Sequence, residues 1–133
     1  MSWREKVGND MVQHITAESG RIRITMKAIT VGEDLCVIIC GGDSPHIGCV
    51  TLSVPRPSLQ DSAVASATTS VLNVIGHKDD EAARYVSYVL SSKLNKNVVV
   101  TCGIHVDDIT NEEIKITIEH LKNLTDRLIQ ILI

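Results

Sequence analysis

Three histidines in this chain share a setting that suits chemistry. His46 lies in GGDSPHIG (residues 41–48), His77 in IGHKDD (75–80) and His105 in CGIHVDD (102–108). Each follows an apolar stretch, has glycine within two residues and has an aspartate within three. Imidazole both donates and accepts hydrogen bonds near neutral pH and is a common metal ligand. Glycine lets another group approach the backbone closely. The ends of strands, and the loops that follow them, are where α/β scaffolds assemble sites.

Three readings of these phrases are open. The histidines can be unrelated, each satisfied by nearby backbone. They can form a metal centre of His46, His77 and His105, with Asp43, Asp79 or Asp107 as further ligands, and so a metal-dependent enzyme. Positions 46, 77 and 105 match no compact metal motif. The third reading is a pocket for an organic ligand, in which the imidazoles supply polar contacts beside glycine-lined backbone. The acids have an explanation of their own. Asp79, Asp80 and Glu81 stand where one helix is expected to begin, and Asp107 and Asp108 precede another, so stabilising helix N-termini accounts for most of them. Ser44 and Ser58 lack the G-x-S-x-G setting of an activated nucleophile. No G-K-[ST] follows the glycines of GGDSPHIG, which excludes a P-loop.

The elements that must position these phrases are legible as patterns. MVQHITA and RIRITMKAITV alternate with period two and read as two strands joined at ESG, with Ile22, Ile24, Met26 and Ala28 on the buried side. His14 is an ordinary half-exposed residue of the first strand. LCVIIC is an unbroken apolar run, which predicts a strand buried on both faces. IGCVTLSV is a strand stopped by PRP, and SAVASATTSVLNVI favours a strand by its Ser, Thr and Val content. DDEAARYVSYVLSSKL changes to helical spacing, with acids in its first turn and Lys93 in its last. VVVTCGI is a second buried strand. TNEE is a capping box that opens a long helix, with Ile114, Ile118, Leu121, Leu124, Leu128 and Leu132 along one stripe. The order β-β-β-β-β-α-β-α predicts an α+β fold, a largely antiparallel sheet or sandwich with two late helices. The terminal RLIQILI is apolar to its last residue and is expected to be buried, within the chain or against another copy.

Composition narrows the classes further. The chain has 133 residues, the size of one domain, with no linker or repeat. It carries a net charge of −3, no phenylalanine, one Trp and two Tyr. Without a basic stripe or a row of aromatics, nucleic acid is a poor partner. No apolar run approaches the ~20 residues that span a bilayer, and the polar N-terminus does not resemble a signal peptide, so a cytoplasmic location is expected. Cys36, Cys40, Cys49 and Cys102 form no C-x-x-C pair and read as small buried hydrophobes. Cys36 and Cys40, four apart on a strand, share a face, which leaves metal ligation as the alternative.

VIICGGDSPHIGCVTLSVPRPS, SATTSVLNVIGHKDDEAARYV and VVVTCGIHVDDITNEEI, in that order, resemble the LpdD-like prenylated-flavin chaperone family. These are small accessory proteins encoded with gallate decarboxylase. The likeness runs from about residue 20 to the C-terminus. Residues 1–12 match nothing and read as an N-terminal extension. The resemblance implies a non-enzymatic protein that binds prenylated FMN and helps deliver it to a UbiD-type hydroxyarylic acid decarboxylase, which does the chemistry. It also implies a fold like that of proteasome assembly chaperones and a tendency to dimerise. A third function, a pure assembly factor whose glycine loops only shape a protein interface, stays beside it. The matching phrases mark Gly41, Gly42, Asp43, His46, His77, Gly103, His105 and Asp107 as cofactor-binding. The flavin phosphate needs a cation, for which Arg56, helped by Ser58 in PRPSLQDS, is the candidate, against the plainer reading of a solvated loop charge.

Overall fold

A computed structural model describes residues 11–74 and 79–133. Within them the chain runs β1 (Val12–Ser19), β2 (Ile22–Val31), β3 (Asp34–Gly42), β4 (Cys49–Pro57), β5 (Ala65–Asn73), α1 (Asp80–Leu94), β6 (Val98–His105) and α2 (Asn111–Leu132). This is the expected order. The strands form one six-stranded sheet in the order β1-β2-β3-β6-β4-β5. All neighbours are antiparallel except β3 and β6, which run parallel. Among the described residues no helix is long and apolar enough to cross a membrane. Met11 already ties to β2, its N–H donating to Thr30 Oγ1 at 2.7 Å. The sheet therefore begins inside the segment read as an extension, and residues 1–10 lie outside the described residues.

Both helices pack on one face of the sheet, α1 over β4, β5 and β6 and α2 over β1 and β2. The core lies between. Ile15, Met26, Ile39, Cys102 and Cys49 form one cross-strand row of it, and all are buried. This corrects the reading of LCVIIC and VVVTCGI as strands buried on both faces. In β3 only Leu35, Val37, Ile39 and Gly41 are buried, and Cys36, Ile38 and Cys40 on the other side are half-exposed. An apolar run reports a hydrophobic strand, not what covers its second face. The strand also continues through PRP: Pro55 and Pro57 pair with Ala67 and Ala65 of β5. β6 flanks β4 only from Cys49 to Ser53, so each proline's missing N–H falls on an unpaired side.

α2 opens with the expected capping box. Glu113 N–H donates to Thr110 Oγ1 and Thr110 N–H to Glu113 Oε1, both at 3.1 Å. Its stripe divides. Leu121, Leu124, Leu128 and Ile129 are buried, while Ile114 and Ile118 are 42% and 47% exposed. The terminal Ile133 is 82% exposed, so the helix end is not buried within the chain as expected.

α1 lies on the sheet through small residues, Ala83, Ser87 and Ser91 among them. Ser87 Oγ accepts from Thr51 Oγ1 at 2.9 Å and from Ser53 Oγ at 2.8 Å. Ser53 Oγ lies 2.7 Å from Thr69 Oγ1. These hydroxyls satisfy one another out of water, which is what makes burying them tolerable. Ser87→Ala removes the shared acceptor and is expected to cost about 1–3 kcal/mol. Urea unfolding measures it, and an unchanged midpoint would mean the chain of hydroxyls adds nothing net.

Candidate functional site

The parallel register of β3 and β6 sets Gly42 opposite His105. The antiparallel register of β6 and β4 sets Cys102 opposite Cys49. The C-terminal ends of β3 and β6, the start of β4 and the start of α1 therefore meet at one end of the sheet. The segment after β3 folds onto β6: Asp43 N–H donates to the His105 carbonyl at 2.6 Å and Gly48 N–H to the Cys102 carbonyl at 2.9 Å. Asp43 Oδ2 accepts from Asp107 N–H at 2.8 Å.

Asp79 joins this end from α1. It occupies the N-cap position, yet its side chain makes no cap bond. Instead Oδ1 accepts from Ile104 N–H at 3.1 Å, and Oδ2 stands 3.4 Å from His46 Nε2. Helix-end stabilisation therefore does not explain this acid. His46 Nδ1 lies 2.9 Å from the Ser44 carbonyl, which can only accept, so Nδ1 carries the proton. The ring is anchored at Nδ1 and faces Asp79 through Nε2, with 24% of the side chain exposed against 9% for Asp79. His105 is more open, and its Nε2 meets Asp107 Oδ1 at 2.9 Å.

The glycines serve this closure. A Cβ on Gly103 would collide with the His46 carbonyl, and one on Gly42, which sits at φ 76°, with the His105 carbonyl. A Cβ on Gly41 would meet the Arg23 carbonyl, and one on Gly48 the Asp79 carboxylate. On the side where a Cβ would stand, Gly41 lies against β2, while Gly42 and Gly103 let the segments carrying His46 and His105 come together.

Arg56 and Ser58 do not join them. β4 starts at the cluster and runs away from it, leaving Arg56 at the far end, where Nε donates to Thr68 Oγ1 at 2.8 Å. His77 lies outside the described residues. Among the described residues no three His, Cys, Asp or Glu side chains gather as ligands to a metal would. Cys49 and Cys102 are buried, while Cys36 and Cys40 are half-exposed on the open face. Burial pushes the Cys49 thiol up to about 11 and the Cys102 thiol higher still, so neither is a poised nucleophile.

The feature missed in the sequence is a groove of about 510 Å³ between α1 and α2, beside the cluster. Ile104, Ile109, Ile114, Ile118, Ala82 and Tyr85 form much of its wall, and Asp79, Glu81, Thr117 and Lys122 bring polar groups to it. Lys122 Nζ lies 5.9 Å from the centre of the Tyr85 ring. The groove shares Asp79 with the His46 contact, and Ile104 immediately precedes His105. The only sequence signal was that the α2 stripe is too wide for one core contact.

Comparison with known proteins agrees with this architecture. The prenylated flavin chaperone LpdD-like domain matches residues 18–133, and the chain belongs to that family. Protein LpdD of Lactiplantibacillus plantarum is 33% identical over 93 residues. That match covers 67% of this chain and 63% of the length of the relative. In fold, the chain is similar to one from a crystal structure of a novel chaperone complex for yeast 20S proteasome assembly. The TM-score is 0.58 at 18% identity, over 90% of this chain and 94% of that one. The expected proteasome-chaperone-like fold is thus observed.

One ion pair locks the outer side of the cluster. Arg21, in the β1–β2 turn, donates from Nε and Nη2 to Glu113 at 2.7 and 2.8 Å, and from Nη2 to the Asp108 carbonyl at 3.3 Å. The Arg21 hydrogen bond, helped by Thr110 N–H, holds the Glu113 carboxyl down to about 2 from its ordinary 4.5. The unfolded chain then takes up this proton first as pH falls. The contact stabilises fully above pH 4.5 and is lost toward pH 2. Arg21→Met is expected to flatten the fall in urea midpoint across that window, and equal slopes in the two proteins would contradict the assignment.

Proposed function

We propose that this chain is a non-enzymatic cytoplasmic chaperone that binds prenylated FMN and helps deliver it to a UbiD-type hydroxyarylic acid decarboxylase. The observation that carries this reading is the family match across residues 18–133. The residues at the β3–β6 end fit such a ligand. A flavin has a flat, largely apolar ring system with a polar edge, and here polar side chains border an apolar concavity. Asp79, Glu81, Thr117 and Lys122 would supply polar contacts around it, and the groove of about 510 Å³ lies within the usual size of small-molecule sites. The chemistry of the bound flavin belongs to the decarboxylase. The residues of this chain bind the molecule and keep part of it from water. Incubation with reduced prenylated FMN under anaerobic conditions, followed by desalting, is expected to leave flavin absorbance with the protein. A protein emerging free of flavin would overturn the reading. Capture of the decarboxylase that is indifferent to flavin would favour a pure assembly factor.

The working unit of this reading is a homodimer. Its support is the sheet face that the helices leave uncovered. There Val12, Ile29, Cys36, Val99 and Leu52 form a continuous cross-strand row, flanked by Ile38, Val50, Val54 and Leu72, of which Leu72 is 75% exposed. A contiguous apolar face of this kind marks an interaction surface on a protein in water. Light scattering at micromolar concentration is expected to give twice the 14.5 kDa chain mass, and Leu52→Lys to shift it toward the monomer. A wild-type particle of one chain mass would contradict this.

A further inference from the structure

The groove between α1 and α2 has a feature that the cluster of histidines does not explain. Ile109, Ile114 and Ile118 present 37%, 42% and 47% of their surface around it. Ile114 and Ile118 lie four apart, on one face of α2, and that face turns toward the groove rather than the core. Each leaves apolar surface in water, which burial against a ligand would remove. A wall of branched aliphatic side chains with one aromatic, Tyr85, suits a flat hydrocarbon-rich surface. The groove is also chemically graded. Asp79 and Glu81 stand toward the strand ends, while Lys122 lies beside Tyr85, about one and a half helical turns further along α1. A ligand with an apolar body and separated polar ends matches that grading.

Building on the prenylated-FMN reading, we infer that this groove holds the fused rings of the flavin, and that Ile114 and Ile118 select the prenylated form. Prenylation extends the ring system with an isoprene-derived hydrocarbon, which adds apolar surface and no hydrogen-bonding group. An aliphatic wall therefore favours prenylated FMN over FMN, and a charge in that wall removes the preference. Asp79 and Lys122 meet the polar parts of the ligand, which the two forms share.

The test titrates reduced prenylated FMN and FMN, anaerobically, into wild type, Ile118→Asp, Ile114→Asp and Ile118→Leu. Circular dichroism and a thermal midpoint serve as fold controls. Ile118→Leu is expected to bind like wild type. At least one aspartate variant that keeps the wild-type fold is expected to bind prenylated FMN tenfold or more weakly, about 1.4 kcal/mol, with a smaller loss for FMN. Ile114→Ala, which removes wall surface without adding charge, is the reserve variant should both aspartates unfold; it is expected to narrow the preference for prenylated FMN, and a preference equal to wild type would count against the inference. If wild type binds neither flavin, the functional reading fails and this inference falls with it. If wild type binds prenylated FMN and the folded aspartate variants bind it equally well, the reading stands and the groove assignment is overturned. Unchanged flavin binding together with lost capture of the decarboxylase would also overturn it, and would make the groove a protein-docking surface.

Discussion

One carboxylate holds together the end of this protein that carries His46 and His105. Asp79 stands at the start of α1, where a helix would use it as a cap, and turns instead toward the sheet. Its two oxygens take the Ile104 N–H and face the His46 ring, while its carbonyl accepts from Ala83 in the first turn of α1. A carboxylate with 9% of its side chain exposed is costly to bury without partners. Those partners come from β6 and the β3–β4 connection, so satisfying Asp79 fixes α1 against both. The groove between the helices inherits its position from that contact.

The second constraint is steric. The β3–β4 segment can lie on the end of β6 only because Gly42, Gly48 and Gly103 carry no Cβ. Removing side chains at these points lets backbone meet backbone, and the hydrogen bonds from Asp43 and Gly48 then close the seam. On the outer side Arg21 reaches from the β1–β2 turn to the capping-box residue Glu113. The loops carrying His46 and His105 are thus held from three directions. A site on such a frame keeps its geometry without a ligand to order it.

Much of the fold was legible in local pattern, because period two, helical spacing and the Thr110 capping box are properties of neighbouring residues. What was not legible depends on which strands end up adjacent. The parallel pairing of β3 with β6 is long-range and decides that Gly42 meets His105, while one face of LCVIIC stays open because both helices pack on the other. Arg56 was grouped with the histidines by chemistry, but β4 carries it to the opposite end of the sheet. The glycines were recognised as points of close approach, yet what approaches them is the chain itself. Ile114 and Ile118 looked like core because the stripe on α2 is continuous in sequence. Only the groove between the two helices makes its first half a wall rather than core.

A flavin bound in the groove between α1 and α2 would touch its aliphatic wall. Methyl NMR of isoleucine- and valine-labelled protein, titrated anaerobically with prenylated FMN, tests it most directly. Ile104, Ile109, Ile114 and Ile118 are expected to shift with one common affinity, while Val54 and Val64, beside Arg56, stay where they are. Shifts confined to Val54 and Val64, or no shift at saturating flavin, would contradict it.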